Sequence, residues 1–209
     1  MTNTNPYAQF LARVQLRYVV KKHHATRLHY DVRFEYLSHR GMLELASFVI
    51  VEGPSLDPTC KRLAIRVADH DVRYMESERV IPPGKDGAGP MLVWDIGRYV
   101  ASAGNAELHI DFETALGEGF VVIELKGEKL NGRFELRFVR KYYLEKMKRY
   151  QEEWSFLKMQ DDEAIIGSNI VDEQPNSVLT NRSLEEIAAG VSVRRKRDDT
   201  TGGLFDSGD

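Results

Sequence analysis

Leu28-His29-Tyr30-Asp31-Val32-Arg33-Phe34-Glu35-Tyr36 alternates without a break. Leu28, Tyr30, Val32, Phe34 and Tyr36 take one parity, and His29, Asp31, Arg33 and Glu35 take the other. Successive side chains of an extended chain point to opposite faces, so a period of two marks a β-strand. One face belongs to a core. The other sets out imidazole, carboxylate, guanidinium and carboxylate roughly 6–7 Å apart, two residues at ~3.3 Å of rise each. An ordinary solvated strand face carries Thr, Lys, Ser and Glu. This face carries the groups that bind divalent metals and phosphate oxyanions.

Outward from that strand the chain keeps the same grammar. Arg17-Tyr18-Val19-Val20 reads as a short strand leading into Lys21-Lys22-His23-His24, and Met42 to Val51 as a third strand after a turn at Ser38-His39-Arg40-Gly41. Gly53-Pro54-Ser55-Leu56-Asp57-Pro58 is a loop by its Gly and Pro punctuation. Leu63, Ile65 and Val67 alternate with Arg62, Ala64 and Arg66, so a persisting parity puts His70 on the face of Arg62 and Arg66. The loop Ile81 to Pro90 lacks the Lys-Ser/Thr end of a Walker A motif and reads as a shaped turn. Strands follow at Met91 to Trp94, Arg98 to Val100, Leu108 to Phe112, Phe120 to Leu125 and Phe134 to Phe138, the last two joined by a hairpin connection. Tyr143, Met147 and Tyr150 fall at helical spacing among charges, which predicts a helix over 140–153, and Trp154 to Met159 is a last strand. Many short strands without a βαβ rhythm predict an all-β barrel or sandwich.

The 209 residues suit one domain with a tail, and 42% hydrophobic with 29% charged residues is ordinary for a globular chain. The net charge of −3 hides an asymmetry: from Asp161 onward 5 Lys/Arg face 11 Asp/Glu, a net of −6, which leaves residues 1–160 at +3. Three regions are expected: a flexible arm over 1–16, a folded domain over 17–160, and an acidic, largely disordered tail over 161–209. The tail holds a capping box, Ser183-Leu184-Glu185-Glu186, opening a short helix to Ala189, and a basic knot at Arg194-Arg195-Lys196-Arg197. Cys60 is the only cysteine, which excludes an intramolecular disulfide and a cysteine-based zinc site and fits a reducing cytoplasm. The first residues show no basic segment followed by an apolar run, so no signal peptide is expected. No apolar run approaches the ~18 residues of a membrane span.

His29 and Asp31 can reach one metal from the same face, and His23 can fold back as a third ligand, with His24 the alternative or a solvated bystander. Two neutral imidazoles and a carboxylate suit Mn²⁺, Zn²⁺, Fe²⁺ or Co²⁺ and leave coordination positions open. Arg33 and Arg62 are candidate phosphate clamps, since guanidinium offers a planar fork of donors; either alone reads equally well as a surface salt bridge. His70 is a candidate proton donor or phosphate contact. On sequence grounds Tyr74 reads as core, and His39 and His109 as structural.

Lys22-His23-x-Ala25-x-Arg27-Leu28-His29-Tyr30-Asp31-x-Arg33-x-Glu35 resembles the signature of the 3′-phosphoesterase family, best known as a domain of bacterial ligase D, the ATP-dependent DNA ligase of non-homologous end joining. The likeness continues in Gly53-Pro54-Ser55-Leu56-Asp57-Pro58, Lys61-Arg62-Leu63-Ala64, Asp69-His70 with Tyr74, Val80-Ile81-Pro82-x-Gly84, Gly87-Ala88-Gly89, Val93-Trp94-Asp95-x-Gly97, Gly127-Glu128-Lys129-Leu130-x-Gly132 and Trp154-x-x-Leu157-Lys158. It covers roughly residues 17 to 160 in collinear order. The resemblance implies a compact β-barrel with one or two peripheral helices and a metal site at its surface. It implies a Mn²⁺-dependent hydrolase, with Zn²⁺ or Co²⁺ as other candidates, that removes a 3′-terminal ribonucleoside and then the 3′-phosphate from a primer strand. The family's metal ligands match His23, His29 and Asp31; its phosphate-side residues match Arg33, Arg62 and His70; a supporting catalytic role matches Tyr74. Expected partners are the 3′ ends of primer–templates, an ATP-dependent DNA ligase and other end-joining proteins, with no membrane and a monomeric chain. Two positions depart from the family: Glu52 stands where a Lys is usual before Gly-Pro-Ser, and Ala68 where a Glu is usual before Asp-His.

Two rival readings have their own discriminators. His-x-Asp with a further His also mimics the facial triad of a non-haem Fe(II) oxygenase, but the arginines suit phosphate and not O₂. Glu52 and the long tail suggest a non-catalytic end-binding module, which turnover of a 3′-phosphate primer excludes.

Overall fold

A computed structural model describes residues 16–102 and 110–192. His109, the basic knot at 194–197 and nearly all of the expected arm lie outside the described residues. The strands are β1 (Leu16–His24), β2 (Leu28–Leu37), β3 (Leu43–Ile50), β4 (Arg62–Asp71), β5 (Arg79–Ile81), β6 (Gly89–Ser102), β7 (Phe120–Gly127), β8 (Asn131–Leu144) and β9 (Arg149–Lys158). The helices are short: α1 (Phe112–Glu118), α2 (Ile170–Glu173) and α3 (Leu184–Ala188). The sheet runs β1-β2-β3-β4-β9-β8-β7-β6-β5, and β1 also pairs with β6, which closes the strands into a barrel. All pairings are antiparallel.

The alternation in β2 sets the two sides of the wall. Tyr30, Val32 and Phe34 point inward and meet Tyr18, Val20, Phe48, Ile50, Trp94, Trp154 and Phe156. Burying an aliphatic or aromatic side chain of this kind stabilises by roughly 1.5–3 kcal/mol. Outside the wall a second, smaller cluster forms from Val19, Leu45, Val93 and Met75. Met75 belongs to the segment after β4, so this cluster pins that segment over the polar face of β2. The consequence is that Asp31, Arg33 and Glu35 are buried as well.

Four sequence expectations change. The helix over 140–153 is instead the end of β8, a 3-10 turn at Glu145–Met147 and the start of β9. Tyr143 and Tyr150 are cross-strand partners with ring centroids 5.2 Å apart, and Arg140–Glu153 and Lys141–Glu152 pair across the same hairpin. Residues equidistant from the turn imitated a helical spacing. Of the strand expected over Leu108 to Phe112, residues 108 and 109 lie outside the described residues, and its end gives way to the start of α1, because Asp111 caps that helix by accepting from the Thr114 N–H.

The third change is parity in β4. Ser47 pairs with Val67 but Leu45 pairs with His70, so β4 carries one extra residue in a bulge. The bulge turns His70 to the outer face, that of Leu45 and Glu35, away from Arg62 and Arg66. The fourth is the tail. Residues 161–192 are not a loose segment: Ile170, Val171, Leu184 and Ile187 join the barrel core. Trp94 Nε1 donates to the Gln174 carbonyl (2.7 Å), and Lys129 Nζ donates to Gln174 and Asn176 (2.8 and 2.6 Å). An acidic average concealed four apolar anchors that need no core of their own, because the barrel supplies one. The capping box at Ser183 and Glu186 is present. Among the described residues no helix is long and apolar enough to cross a membrane.

Candidate metal centre

His23 and His29 face each other across the β1–β2 ladder, and Asp31 follows on the same face one step along. One ligand atom from each of the three lies within 4.8 Å of the others. His23 Nε2 is 2.7 Å from the Gly87 carbonyl and His29 Nδ1 is 3.0 Å from the Arg27 carbonyl. A carbonyl only accepts, so those nitrogens carry the protons. The lone pairs are then on His23 Nδ1 and His29 Nε2, each 3.7 Å from an Asp31 carboxylate oxygen. Three donors converge with their outer nitrogens fixed by backbone carbonyls, the usual support of a ligating histidine. Gly87 sits at φ +72°, and a Cβ there would stand 3.1 Å from the His23 ring. The Gly-rich loop thus serves the site through its backbone. His24 is exposed on the opposite parity, outside the cluster.

Arg33 donates to Asp31 at 3.2 Å, and its buried Nε has no hydrogen-bond partner among the described residues. Burial works to raise the Asp31 carboxyl, but the donors and positive charge around it, the Arg33 guanidinium among them, hold it below the ordinary carboxylate range. His70 Nδ1 lies 3.0 Å from Ser47 Oγ. Burial, and then the charge of Arg33, push this imidazole below its ordinary value, so it is neutral at pH 7.

Arg62 is not brought into this cluster. It opens β4 on the inward parity, opposite Phe156, and pairs with Glu52 at 2.7 Å. Tyr74 is not core: its exposed ring lies beneath the Arg79 guanidinium, 5.1 Å from centroid to Cζ.

Sequence reasoning missed Lys21, Ser47 and Arg79. Lys21 is fully buried and donates to the Tyr74 carbonyl and to the Ser77 carbonyl and hydroxyl. It fixes the segment that roofs the site. Desolvation, then repulsion from Arg33, lowers its ammonium to about 7. The signal was available: Lys21 has the parity of His23, two residues before it in the same strand.

A closed antiparallel barrel with a largely buried His-His-Asp cluster beside an arginine is the frame of a candidate metal site, and the sequence comparisons supply the family. The model of the DNA ligase D 3′-phosphoesterase domain matches residues 21–137, and the chain belongs to that family. It is 37% identical over 171 residues to the multifunctional non-homologous end joining protein LigD of Pseudomonas aeruginosa, covering 81% of this chain and 18% of that protein. It is 34% identical over 120 residues to the protein of the same description from Mycolicibacterium smegmatis, covering 57% and 15%. The same identity over 119 residues holds for the multifunctional non-homologous end joining DNA repair protein LigD of Mycobacterium tuberculosis, covering 57% and 14%. The chain thus spans less than a fifth of the length of these relatives.

Proposed function

We propose that this chain is a divalent-metal-dependent 3′-end-processing phosphoesterase of DNA repair. It acts on a primer strand, removes a 3′-terminal ribonucleoside and a 3′-phosphate, and leaves a 3′-OH for ligation or synthesis. The observation that carries this reading is the convergence of His23 Nδ1, His29 Nε2 and an Asp31 carboxylate that also receives Arg33. These three residues would hold the ion, Mn²⁺ by family resemblance, with Zn²⁺ or Co²⁺ as alternatives. Bound there, it would supply Lewis-acid polarisation of the phosphoryl oxygens.

The remaining steps belong to the chain's own residues. Arg33 has a buried Nε–H with no acceptor among the described residues, so a phosphate oxygen in the site would satisfy it and gain a charge-assisted bond. Its fixed position stabilises the charge that develops on the transferring group. His70 has Nδ1 committed to Ser47, which leaves the Nε2 lone pair to take a proton from the attacking water; once protonated, Nε2 donates to the phosphate or returns that proton to the leaving oxygen. Tyr74 and Arg79, stacked on one another, form a wall whose backbone Lys21 holds in place. Arg62 serves from the barrel rim, after leaving Glu52. The partners of the reading are primer–template 3′ ends and, through the end-joining relatives, an ATP-dependent ligase.

The test is a 5′-labelled primer–template ending in a 3′-phosphate or a single 3′-ribonucleotide, incubated with the protein and a panel of divalent ions. Conversion to a 3′-OH primer that depends on added ion and disappears with chelator is expected. No conversion with any ion rejects the reading.

A further inference from the structure

The hairpin formed by the end of β8 and the start of β9 leaves the barrel. β7 accompanies β8 only as far as Arg137, and β4 accompanies β9 only as far as Glu152. Residues 138–141 are therefore an open outer edge of β8, and residues 142–151 a two-stranded ribbon flanked by no other described strand. From Arg137 to Leu144 the unaccompanied part of β8 runs about 23 Å at ~3.3 Å per residue. A free two-stranded ribbon is marginal in water and has no barrel-building reason to be long. The family match ends at residue 137, so the ribbon also lies beyond it.

Its composition is polarised. Residues 137–150 hold Arg137, Arg140, Lys141, Lys146, Lys148 and Arg149 against one acid, Glu145. Near the barrel the cations are neutralised: Arg140 pairs with Glu153 and Lys141 with Glu152. At the tip, Lys146, Lys148 and Arg149 have no ion pair among the described residues. Beside them Tyr143 and Tyr150 stack edge to face in the open, with Tyr150 66% and Met147 62% exposed. Unpaired cations next to exposed aromatic rings complement phosphates and nucleic-acid sugars and bases. An acidic or purely apolar partner surface would not use both. Position agrees with composition. β4 carries His70 toward the metal centre, and its neighbours Ala68 and Asp69 line a cleft with Arg149 and Tyr150 of the ribbon.

We propose that this ribbon is a second, sequence-independent grip on the nucleic-acid substrate, contacting backbone phosphates of the duplex behind the 3′ end through Lys146, Lys148 and Arg149. The proposal rests on the phosphoesterase reading only for the identity of the strand it holds. At ~3.4 Å per nucleotide along one strand, the ~23 Å run of β8 spans about seven nucleotides, so a duplex lying along it meets the tip several nucleotides behind its end. A substrate of three nucleotides is too short to span that run.

The test compares the full chain with a Lys146→Gln, Lys148→Asn, Arg149→Gln variant. Lys148 has φ +49°, which asparagine tolerates. Anisotropy with a labelled primer–template bearing a 3′-OH measures binding without turnover over a salt series. The variant should bind at least about tenfold more weakly at low salt. The slope of log K against log salt should fall by up to ~2.7, at ~0.9 per lost phosphate contact. Hydrolysis of a 3′-phosphorylated trinucleotide should be unchanged. Lys146→Gln alone, at the exposed turn, should remove about 0.9 of the slope, and it keeps the test open should the triple change disturb the hairpin. Affinity and slope equal to those of the unaltered chain overturn the proposal. Failure of the unaltered chain to hydrolyse either substrate, with the binding difference intact, rejects the phosphoesterase reading and leaves the ribbon's role standing.

Discussion

Ser47 fixes which nitrogen of His70 faces the site. Ser47 Oγ lies 2.8 Å from the Leu45 carbonyl, to which its single proton must go, and 3.0 Å from His70 Nδ1. The hydroxyl therefore accepts from Nδ1–H, and Nε2 is left as the nitrogen with a free lone pair. The β-bulge that turns His70 outward is what brings the two residues together.

Ser47→Ala should consequently lower kcat on a 3′-phosphate end by about tenfold, or ~1.4 kcal/mol, through loss of the correct tautomer and orientation. KM should change little, and the thermal midpoint should fall only modestly, since the hydroxyl's bonds to the Leu45 carbonyl and to His70 are lost but no charge is stranded. Ser47→Thr, which keeps the hydroxyl, should recover most of the rate. An unaltered kcat in Ser47→Ala shows that His70 needs no such partner.

Removal of the candidate ligands should separate into two classes. His29 is partly exposed and bonds only to the neighbouring Arg27 carbonyl, so His29→Ala should abolish activity and Mn²⁺ binding with little effect on folding. Asp31 and Arg33 are 7% and 6% exposed and bonded to one another. Asp31→Ala strands a buried guanidinium, at a cost of ~3–5 kcal/mol. Denaturant titrations should show that loss for Asp31→Ala alone, and titration calorimetry with Mn²⁺ should show loss of binding for both. Retained Mn²⁺ binding in His29→Ala would place the ion elsewhere.

The legibility of this chain followed from which physical signals are local. The two-residue period of β2 revealed a strand, its inward face and the His29–Asp31–Arg33 series, because alternation needs no knowledge of the partner strand. Ser183 and Glu186 were legible for the same reason, as a capping box lies within four residues. The bulge before His70 was not, since an extra residue shows only against the facing strand. Cross-strand pairing in the β8–β9 hairpin was mistaken for helical spacing. Lys21 escaped notice because its partners, Tyr74 and Ser77, lie more than 50 residues away. Ile170, Val171, Leu184 and Ile187 looked too sparse for a core, and they are, without the barrel.

The segment over 161–192 should be required for stability, against the expectation of a folded domain that ends at residue 160. Its four buried aliphatic side chains stabilise by about 1.5–3 kcal/mol each. Together they rival the whole surplus of a typical domain. Truncation after residue 160 should lower the thermal midpoint sharply and expose Trp94. A truncated chain melting like the full one would refute the docking of this segment.

Acid should release the same segment through Glu78. Burial opposes its charge, but the Ser177 hydroxyl, the Val93 N–H, the Thr180 hydroxyl and the Arg182 guanidinium hold its carboxyl below the ordinary range. A carboxyl depressed in the folded state contributes stability above its unfolded value, about 4.3, and loses it as pH falls through the folded value. Trp94 donates to Gln174, so its fluorescence should report detachment below about pH 4. Glu78→Gln should remove that acid step and lower stability at pH 7. A step that persists in Glu78→Gln would assign it to another carboxylate.

Glu52 is the departure from the family with the clearest structural reading. Its carboxylate takes the Arg62 guanidinium at 2.7 Å while remaining 72% exposed. Exposed pairs contribute about 0–1 kcal/mol, so this contact holds Arg62 without holding the loop. Glu52→Lys frees Arg62 and reverses a charge at the rim. A carboxylate there repels a phosphate dianion by ~1 kcal/mol or more at ~10 Å and an effective dielectric near 20. The substitution should lower KM for a 3′-phosphate end, more at low salt than at high salt. It should cost less than ~1 kcal/mol of stability. If Glu52 instead anchors the Gly53–Pro58 loop, the same variant melts early and turns over slowly. Steady-state kinetics at two salt concentrations beside a melting curve separate the two, and an unchanged or raised KM at low salt rejects the electrostatic role.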